Sequence, residues 1–486
     1  MQPTPKAICA AVALLCAASG ASLAQTSADP LRSAAQKAVQ TNPEVTARFN
    51  AYRAAGDAVN VSRGGFLPRV DLTALAGRDH DRITGRLPDE SQSLGRGQIG
   101  LSLTQLLWDG MGTRRDVDRL THERLARYFE LIETTEQTAL EAARAHYDVQ
   151  RFRRLVQLAE DNYVQHRYAF SQIQSRVKAG VGRGVDLEQA NARLALAESN
   201  LATEQANLHD VTARYQRIVG ELPPAQLPPL AVLKDGVPAS ASDLVAQSLR
   251  NSAAISASIE GLRAAREAAS GRESVYQPRV EARLAGAGGR NVDGIEDQKR
   301  NASAHLVLNW NLYNGGADNA RVQQQKNLLN QAADLRDRVC RDTRQVAAIA
   351  HNDTRKLTEQ LVYLDRNTQA IVKARDAYRQ QFDIGQRSLL DLLNAENEVY
   401  TARRAYANAE HDLALAYARA QAAMNRLGTT LGIARTDQVA DEAAGWSASD
   451  DAPTRCPVAV AEVGVTDRAA LDARADAMTR SAPAPR

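Results

Sequence analysis

A chain of 486 residues with 60 Lys and Arg against 57 Asp and Glu has a formal charge of only +3, with aromatics at 5% and four cysteines. Wholesale nucleic-acid binding has no charge behind it, and several dense aromatic cores lack the material. Mean hydropathy is −0.40, and past the N-terminus no apolar run nears the roughly 20 residues of a membrane helix. That excludes a helical transporter and leaves open a β-barrel, whose alternating strands barely raise hydropathy. An extended molecule fits this composition better than two to four compact domains.

Residues 1–24 read as a signal peptide for export. Lys6 supplies the positive region, residues 7–18 (AICAAVALLCAA) the apolar core, and Ser22-Leu23-Ala24 a small-x-small cleavage site before Gln25. Neither Cys9 nor Cys16 follows a small residue, as lipid attachment to a new N-terminal cysteine requires, so an unlipidated mature chain is expected. Cleavage would leave Cys340 and Cys456 in an oxidising compartment.

The mature sequence is a duplication. Phe66-Leu67-Pro68-Arg69-Val70 returns 210 positions later as Tyr276-Gln277-Pro278-Arg279-Val280. Trp108-Asp109-Gly110 returns 205 later as Tyr313-Asn314-Gly315, and Gly180 with Val185-Asp186-Leu187 returns as Gly385 with Leu390-Asp391-Leu392.

In chain order the first repeat, 25–220, opens with an Ala-rich helical pattern over 33–62. A β-hairpin follows at 66–110, in which Val70, Leu72 and Ala74 alternate with Asp71 and Thr73, and Ile99, Leu101 and Leu103 with Gly100 and Ser102. Each strand is expected to be about ten residues long, the length a tilted membrane strand needs, with the polar link 78–93 as a long outer loop. Trp108 sits at a strand end, where a membrane's aromatic belt would lie.

Period 3.6 then returns over 111–180 without a proline, long enough at 1.5 Å per residue for roughly 105 Å of helix. A glycine turn leads into a return helix, 186–220, of about half that length. A Pro-rich linker, 221–240, separates the halves. The second repeat, 241–428, repeats the order: helix 241–274, hairpin 276–315 with link 286–301 and belt aromatics Trp310 and Tyr313, long helix 316–385, return helix 391–428. The tail, 429–486, loses periodicity and is expected to sit at mid-height or lack order, down to its SAPAPR end.

Enzyme chemistry finds no support. The eight histidines form no HExxH or paired Cys/His spacing, and no Gly-x-Ser-x-Gly elbow appears, so no catalytic residue, metal or cofactor is expected. Gly180-x-Gly182-x-Gly184 lacks the Lys-Ser/Thr of a nucleotide loop and follows a helix. A tail folding back at mid-height could bring Cys456 to Cys340; two unpaired thiols are the alternative.

Together these features resemble the TolC family of outer-membrane export channels, over residues 33–428. The most specific stretch is Phe382-Asp-Ile-Gly-Gln-Arg-Ser-Leu-Leu-Asp-Leu-Leu-Asn394. The resemblance implies a mostly α chain with four strands, three copies of which make a twelve-stranded β-barrel in outer-membrane lipid and a periplasmic α-barrel of very long helices. It implies a homotrimer, a periplasmic adaptor (membrane fusion protein), and an inner-membrane ABC exporter or RND pump. By the same resemblance the periplasmic gate falls on Asp186, Phe382, Arg387, Asp391 and Asn394, and adaptor docking on Val181-Gly182-Arg183 and Ile384-Gly385-Gln386. The sequence departs where the family's gate tyrosine is Phe382 and its second pore carboxylate is Asn394. Closure would therefore lean on Arg387 with Asp186, and a single acidic ring would stand at Asp391. Type I secretion of a repeat toxin or large adhesin is the preferred route. The alternatives are a tripartite multidrug efflux duct, or a periplasmic coiled-coil spacer or adhesin without a pore.

Overall fold

In a computed structural model of the protein, residues 29–84, 90–292, 296–433 and, in the tail, 443, 445–448, 456–460 and 466–481 are described. The signal peptide expected over residues 1–24 lies outside them, as do residues 482–486.

Each half opens on two helices where the periodicity suggested one. Pro43 cannot donate to a helix ladder, so α1 (Pro30–Thr41) stops and α2 (Pro43–Arg63) restarts, with Asn42 Oδ1 accepting from Glu44 N at 2.9 Å. In the second half Ser252 breaks the run between α5 (Ala241–Asn251) and α6 (Ala253–Arg272), its Oγ accepting from Ile255 N at 3.2 Å.

The strands β1 (Arg69–Ile83), β2 (Glu90–Trp108), β3 (Arg279–Arg290) and β4 (Gln298–Asn309) form one antiparallel sheet in that order. The first two run to 15 and 19 residues, so the links expected at 78–93 and 286–301 are mostly strand. Ladder hydrogen bonds need no apolar side chains, and polar pairs continue the hairpin: His80 Nδ1 lies 2.8 Å from Ser93 Oγ, and Arg96 3.5 Å from Asp79.

Register decides what each face shows. Val70 stands opposite Leu103, Leu72 opposite Leu101, Ala74 opposite Ile99, Leu103 opposite Leu284, Ala282 opposite Leu306 and Val280 opposite Leu308. One face is thereby apolar across all four strands, with Leu72, Leu101 and Leu306 more than half exposed. The other carries Asp71, Thr73, Ser102, Thr104, Arg283 and His305. An apolar outside and a polar inside are what a barrel wall in lipid requires.

Below the sheet run α3 (Gly112–Lys178) and α7 (Ala317–Asp383), 67 residues each, or about 100 Å. They reverse into α4 (Gly184–Val219) and α8 (Leu389–Ala423). Helices α3 and α7 pack on the return helices below and on α2 and α6 above. Where return and opening helices meet, the seam is alanine: Ala34, Ala35 and Ala38 of α1, Ala139, Ala142 and Ala143 of α3, and Ala414 and Ala418 of α8 form one buried cluster. Small side chains let helix axes approach closely, which suits a thin wall better than aromatic packing does.

The segment between the halves lies along α3 as extended chain. Tyr147, Gln150 and Arg153 donate to the carbonyls of Ala231, Pro228 and Ala225 at 2.9, 2.8 and 3.0 Å. Beyond Gly428 the tail departs from the expectation of lost periodicity. A short turn, α9 (Leu427–Leu431), closes the mid-height core, and α10 (Arg468–Ser481) is helical because its residues are good helix formers and Asp467 Oδ1 accepts from Ala470 N at 3.2 Å. Among the described residues no helix is long and apolar enough to cross a membrane.

Candidate functional site

The two helical reversals at the end far from the sheet are built alike. Gly180 and Gly385 both take φ +76°, a region that favours glycine. Val181 N donates to Arg176 O at 3.0 Å and Gln386 N to Gln381 O at 2.8 Å, closing each helix with the same six-residue loop. Beside them Val181 and Ile384 hold their side chains 80% and 68% exposed, flanked by Gly182 and Arg183 on one tip and by Gln386 on the other.

Phe382 faces inward. It packs with Ile173, Ala190, Leu389, Leu392 and Leu393, and the Arg176 guanidinium lies 5.2 Å from its ring centroid. The ring joins the first hairpin to the second by packing and a cation–π contact, where a tyrosine would offer a hydroxyl. Arg387 lies 4.8 Å from the Tyr378 ring, donates to Gln381 Oε1 at 3.0 Å, and stands 3.6 Å from the Asp391 carboxylate. Asp391 also accepts from Ser388 Oγ at 2.9 Å, while that Oγ accepts from Asp391 N at 3.2 Å. Ser388 is therefore the cap of α8, and Asp391 is its first-turn acid. Asp186 is the corresponding first-turn acid of α4. Within the protomer it is not joined to Arg387, and among the described residues its carboxylate has no side-chain partner.

Asn394 accepts from Arg193 Nη2 at 2.7 Å, so it links α8 to α4. Two residues further along α8 lies a buried polar knot that the sequence reading did not single out. Glu396, buried, takes Arg375 at 2.9 Å and Arg379 at 2.5 Å, and Arg379 also donates to Gln165 of α3 at 2.7 Å. Burial works against the Arg375 charge, yet Glu396 and Asp376 hold its pKa above the ordinary value. A signal existed: Arg375 and Glu396 stand 10 and 11 residues either side of Gly385, the register an antiparallel helical hairpin pairs. His166, 2% exposed, lies beside this knot with Nδ1 unpartnered. Burial lowers its pKa, with Arg193 pushing the same way and Glu396 opposing.

At the sheet end Trp108 closes β2 next to a bulge, and Trp310 Nε1 donates to Tyr276 O at 3.2 Å, while Tyr313 is 84% exposed. Phe66 and Tyr276 lie half exposed at the same level, a second aromatic pair visible in the sequence as repeat landmarks. Cys340 of α7 and Cys456 of the tail are joined as a disulfide, Cα atoms 5.5 Å apart. Among the described residues no three His, Cys, Asp or Glu side chains converge as a metal site would need.

Comparison with known proteins agrees with this architecture. The family model described as "Outer membrane efflux protein" matches residues 34–221 and 244–426, one block per repeat. The outer membrane efflux protein BepC of Brucella suis biovar 1 (strain 1330) is 26% identical over 407 residues, covering 83% of this chain and 87% of BepC. The fold is similar to the CmeC outer membrane channel of Campylobacter jejuni (TM-score 0.73, 14% identity, 84% of this chain and 87% of that one). It is also similar to the outer membrane protein VceC of Vibrio cholerae (TM-score 0.70, 16% identity, 83% of this chain and 96% of that one). With a duplicated helical wall, a four-stranded sheet that is apolar on one face, and a family match across both repeats, the chain belongs to the outer membrane efflux protein family, the TolC-like channels of the outer membrane.

Proposed function

We propose that three copies of this chain close into one export duct, a β-barrel in the outer membrane continuous with a helical tunnel in the periplasm. The observation that carries this is the open sheet. A lone sheet of four strands leaves the outer edges of β1 and β4 unpaired, and edges in lipid cost several kcal/mol per unsatisfied backbone group. Pooling strands among copies removes every edge and turns each polar face toward a shared lumen. The helices fit the same count, since each protomer brings α2, α3, α6 and α7 to the upper wall and two hairpins to the lower.

The two tips then form the inner entrance. Val181 and Ile384 are apolar side chains held in water on matching turns, which suits docking of a periplasmic adaptor with an energised inner-membrane transporter behind it. Asp186, Phe382, Arg387, Asp391 and Asn394 lie at or just above this entrance and act as its gate.

For the cargo, our reading is type I protein secretion with an ABC exporter, supported by the Ser22-Leu23-Ala24 cleavage pattern, which fits an ordinary unlipidated N-terminus. The efflux name of the Brucella suis relative favours the second reading, a duct for small toxic compounds with a resistance-type pump. Heat-modifiable migration and conductance in planar bilayers test the duct. Deletion of the gene separates the routes: loss of a large protein from the medium supports secretion, and drug hypersensitivity with an unchanged medium supports efflux. A purified monomer without conductance would sink both.

A further inference from the structure

The described pieces of the tail contact α3, α6 and α7 in turn. Trp446 lies 4.8 Å from the Phe129 ring of α3, and its Nε1 donates to Glu260 Oε1 of α6 at 2.7 Å. Glu260 is fully buried and also holds His122 of α3 at 2.6 Å and Arg263 at 2.6 Å, while Arg263 Nη2 donates to Ser447 O at 3.0 Å. Burial disfavours the Glu260 charge, but these hydrogen bonds and charges keep its carboxyl below the usual range. Cys456 is then bonded to Cys340 of α7, and both cysteines pack with Ile255 and Ile259 of α6. Arg344 donates to Pro457 O at 3.5 Å, and Val460 packs on the cluster of Leu244, Val245 and Ala347. Last, Arg468 of α10 lies 4.4 Å from the Tyr363 ring and 3.2 Å from Glu359.

The contacts on α7 thus run from Cys340 to Tyr363, about 35 Å of helix. The disulfide ties α7 to Cys456, which packs on Ile255 and Ile259 of α6, while Trp446 joins α6 to α3 through the buried Glu260 carboxylate and an edge-on contact with Phe129.

We infer that the C-terminal tail is a splint locked by the Cys340–Cys456 disulfide, which fixes α7 to α6 at mid-height and so restrains opening of the periplasmic entrance by the second hairpin. The inference rests on the duct reading, because it concerns how far the entrance moves. The lock can be released without denaturing the wall. A 250 Å³ cavity lined by Asp337, Arg341, Arg344 and Pro457 reaches both cysteines, and dithiothreitol would reduce the bond to two thiols while itself closing to a cyclic disulfide.

The test is open probability in planar bilayers of the full-length oxidised protein before and after dithiothreitol, with alkylation and mass spectrometry confirming that the bond has opened. The double variant Cys340→Ala, Cys456→Ala serves as the thiol-free control. Reduction is expected to raise open probability at least about fivefold, the low end of typical coupling between linked elements. The double variant should start at that higher level and ignore the reductant. An unchanged wild type overturns the splint, and so does an equal response of the double variant, since the effect would then arise elsewhere. If the double variant does not assemble, the reduced and oxidised wild type still decide. Absence of any conductance would instead count against the duct itself.

Discussion

At the tip of the helical hairpins one side chain decides what its neighbour does. An aspartate at 394 would not add a free negative ring to an entrance, because Arg193 already lies 2.7 Å from the Asn394 oxygen and would pair with it. Among the described residues Asp391 is shielded by Ser388 and, at 3.6 Å, by Arg387, and its side chain is 39% exposed. Divalent-cation block of single-channel current should therefore weaken severalfold in Asp391→Asn and stay near wild type in Asn394→Asp. A block strengthened severalfold by Asn394→Asp would show that a carboxylate at 394 faces the entrance free of Arg193, and would overturn this reading. Glu396 makes the complementary case for stability. Glu396→Gln keeps the shape but leaves Arg375 and Arg379 without their carboxylate. Breaking a buried pair of this kind costs about 3–5 kcal/mol, read as a lower thermal midpoint of the purified protein. A change under about 1 kcal/mol, typical of surface pairs, would mean that water reaches the knot.

Among the elements, the turns separate two reasons for needing glycine. At Gly385 a Cβ would meet nothing within 4 Å, so alanine there carries only the left-handed backbone penalty, about 1–2 kcal/mol. At Gly110, with φ +67°, the same Cβ would come 2.5 Å from Gln277 Cβ and 3.0 Å from Ser274 O, where the two halves meet beneath the sheet. Gly110→Ala should thus cost roughly 1–3 kcal/mol more than Gly385→Ala through overpacking. Comparing the yields of heat-modifiable oligomer at a fixed temperature checks that order. Elements of this kind were legible because the duplication prints them twice and because long helices and alternating strands follow local periods. The hairpin lengths were misread since polar pairs such as His80 with Ser93 extend a ladder without hydrophobic alternation. The helix breaks at Asn42 and Ser252 needed only their caps to be weighed, but α10 and the splint depend on partners no local pattern reveals. Trp446 and Glu260 are 186 residues apart, and Cys340 and Cys456 116. Of the residues proposed as the gate, the motif located the turn and its first-turn acids, while the partners Arg193, Arg176 and Tyr378 follow only from how the two hairpins lie against each other.

At the scale of the whole molecule, a wall this thin hides few groups from water, and three of the ones it hides are histidines. His146, His166 and His411 sit in the helical wall at 1%, 2% and 6% exposure, and burial lowers the pKa of each, that of His146 to about 4. The unfolded chain binds protons at these sites near the ordinary value of about 6.5, whereas the folded one does not. Between these values the unfolded state holds more protons, so stability falls as pH drops below about 6.5 and stops falling for His146 once its folded pKa is passed. His146 alone contributes a loss of up to about 3 kcal/mol; burial dominates, its Nδ1 has no partner, and the attraction of Asp29, opposed by Arg153, does not make up for it. In an assembly of three copies the same penalty acts in every protomer. Thermal dissociation of the assembled channel should therefore be flat between pH 7.5 and 7 and fall progressively toward pH 4.5. In His146→Gln, neutral throughout, that fall should be visibly shallower while the midpoint at pH 7.5 shifts little by comparison. Parallel profiles for the two proteins would place the acid sensitivity in the carboxylate network around Glu260, whose pKa lies below the usual range, and would mean that His146 is reached by water in the assembled wall.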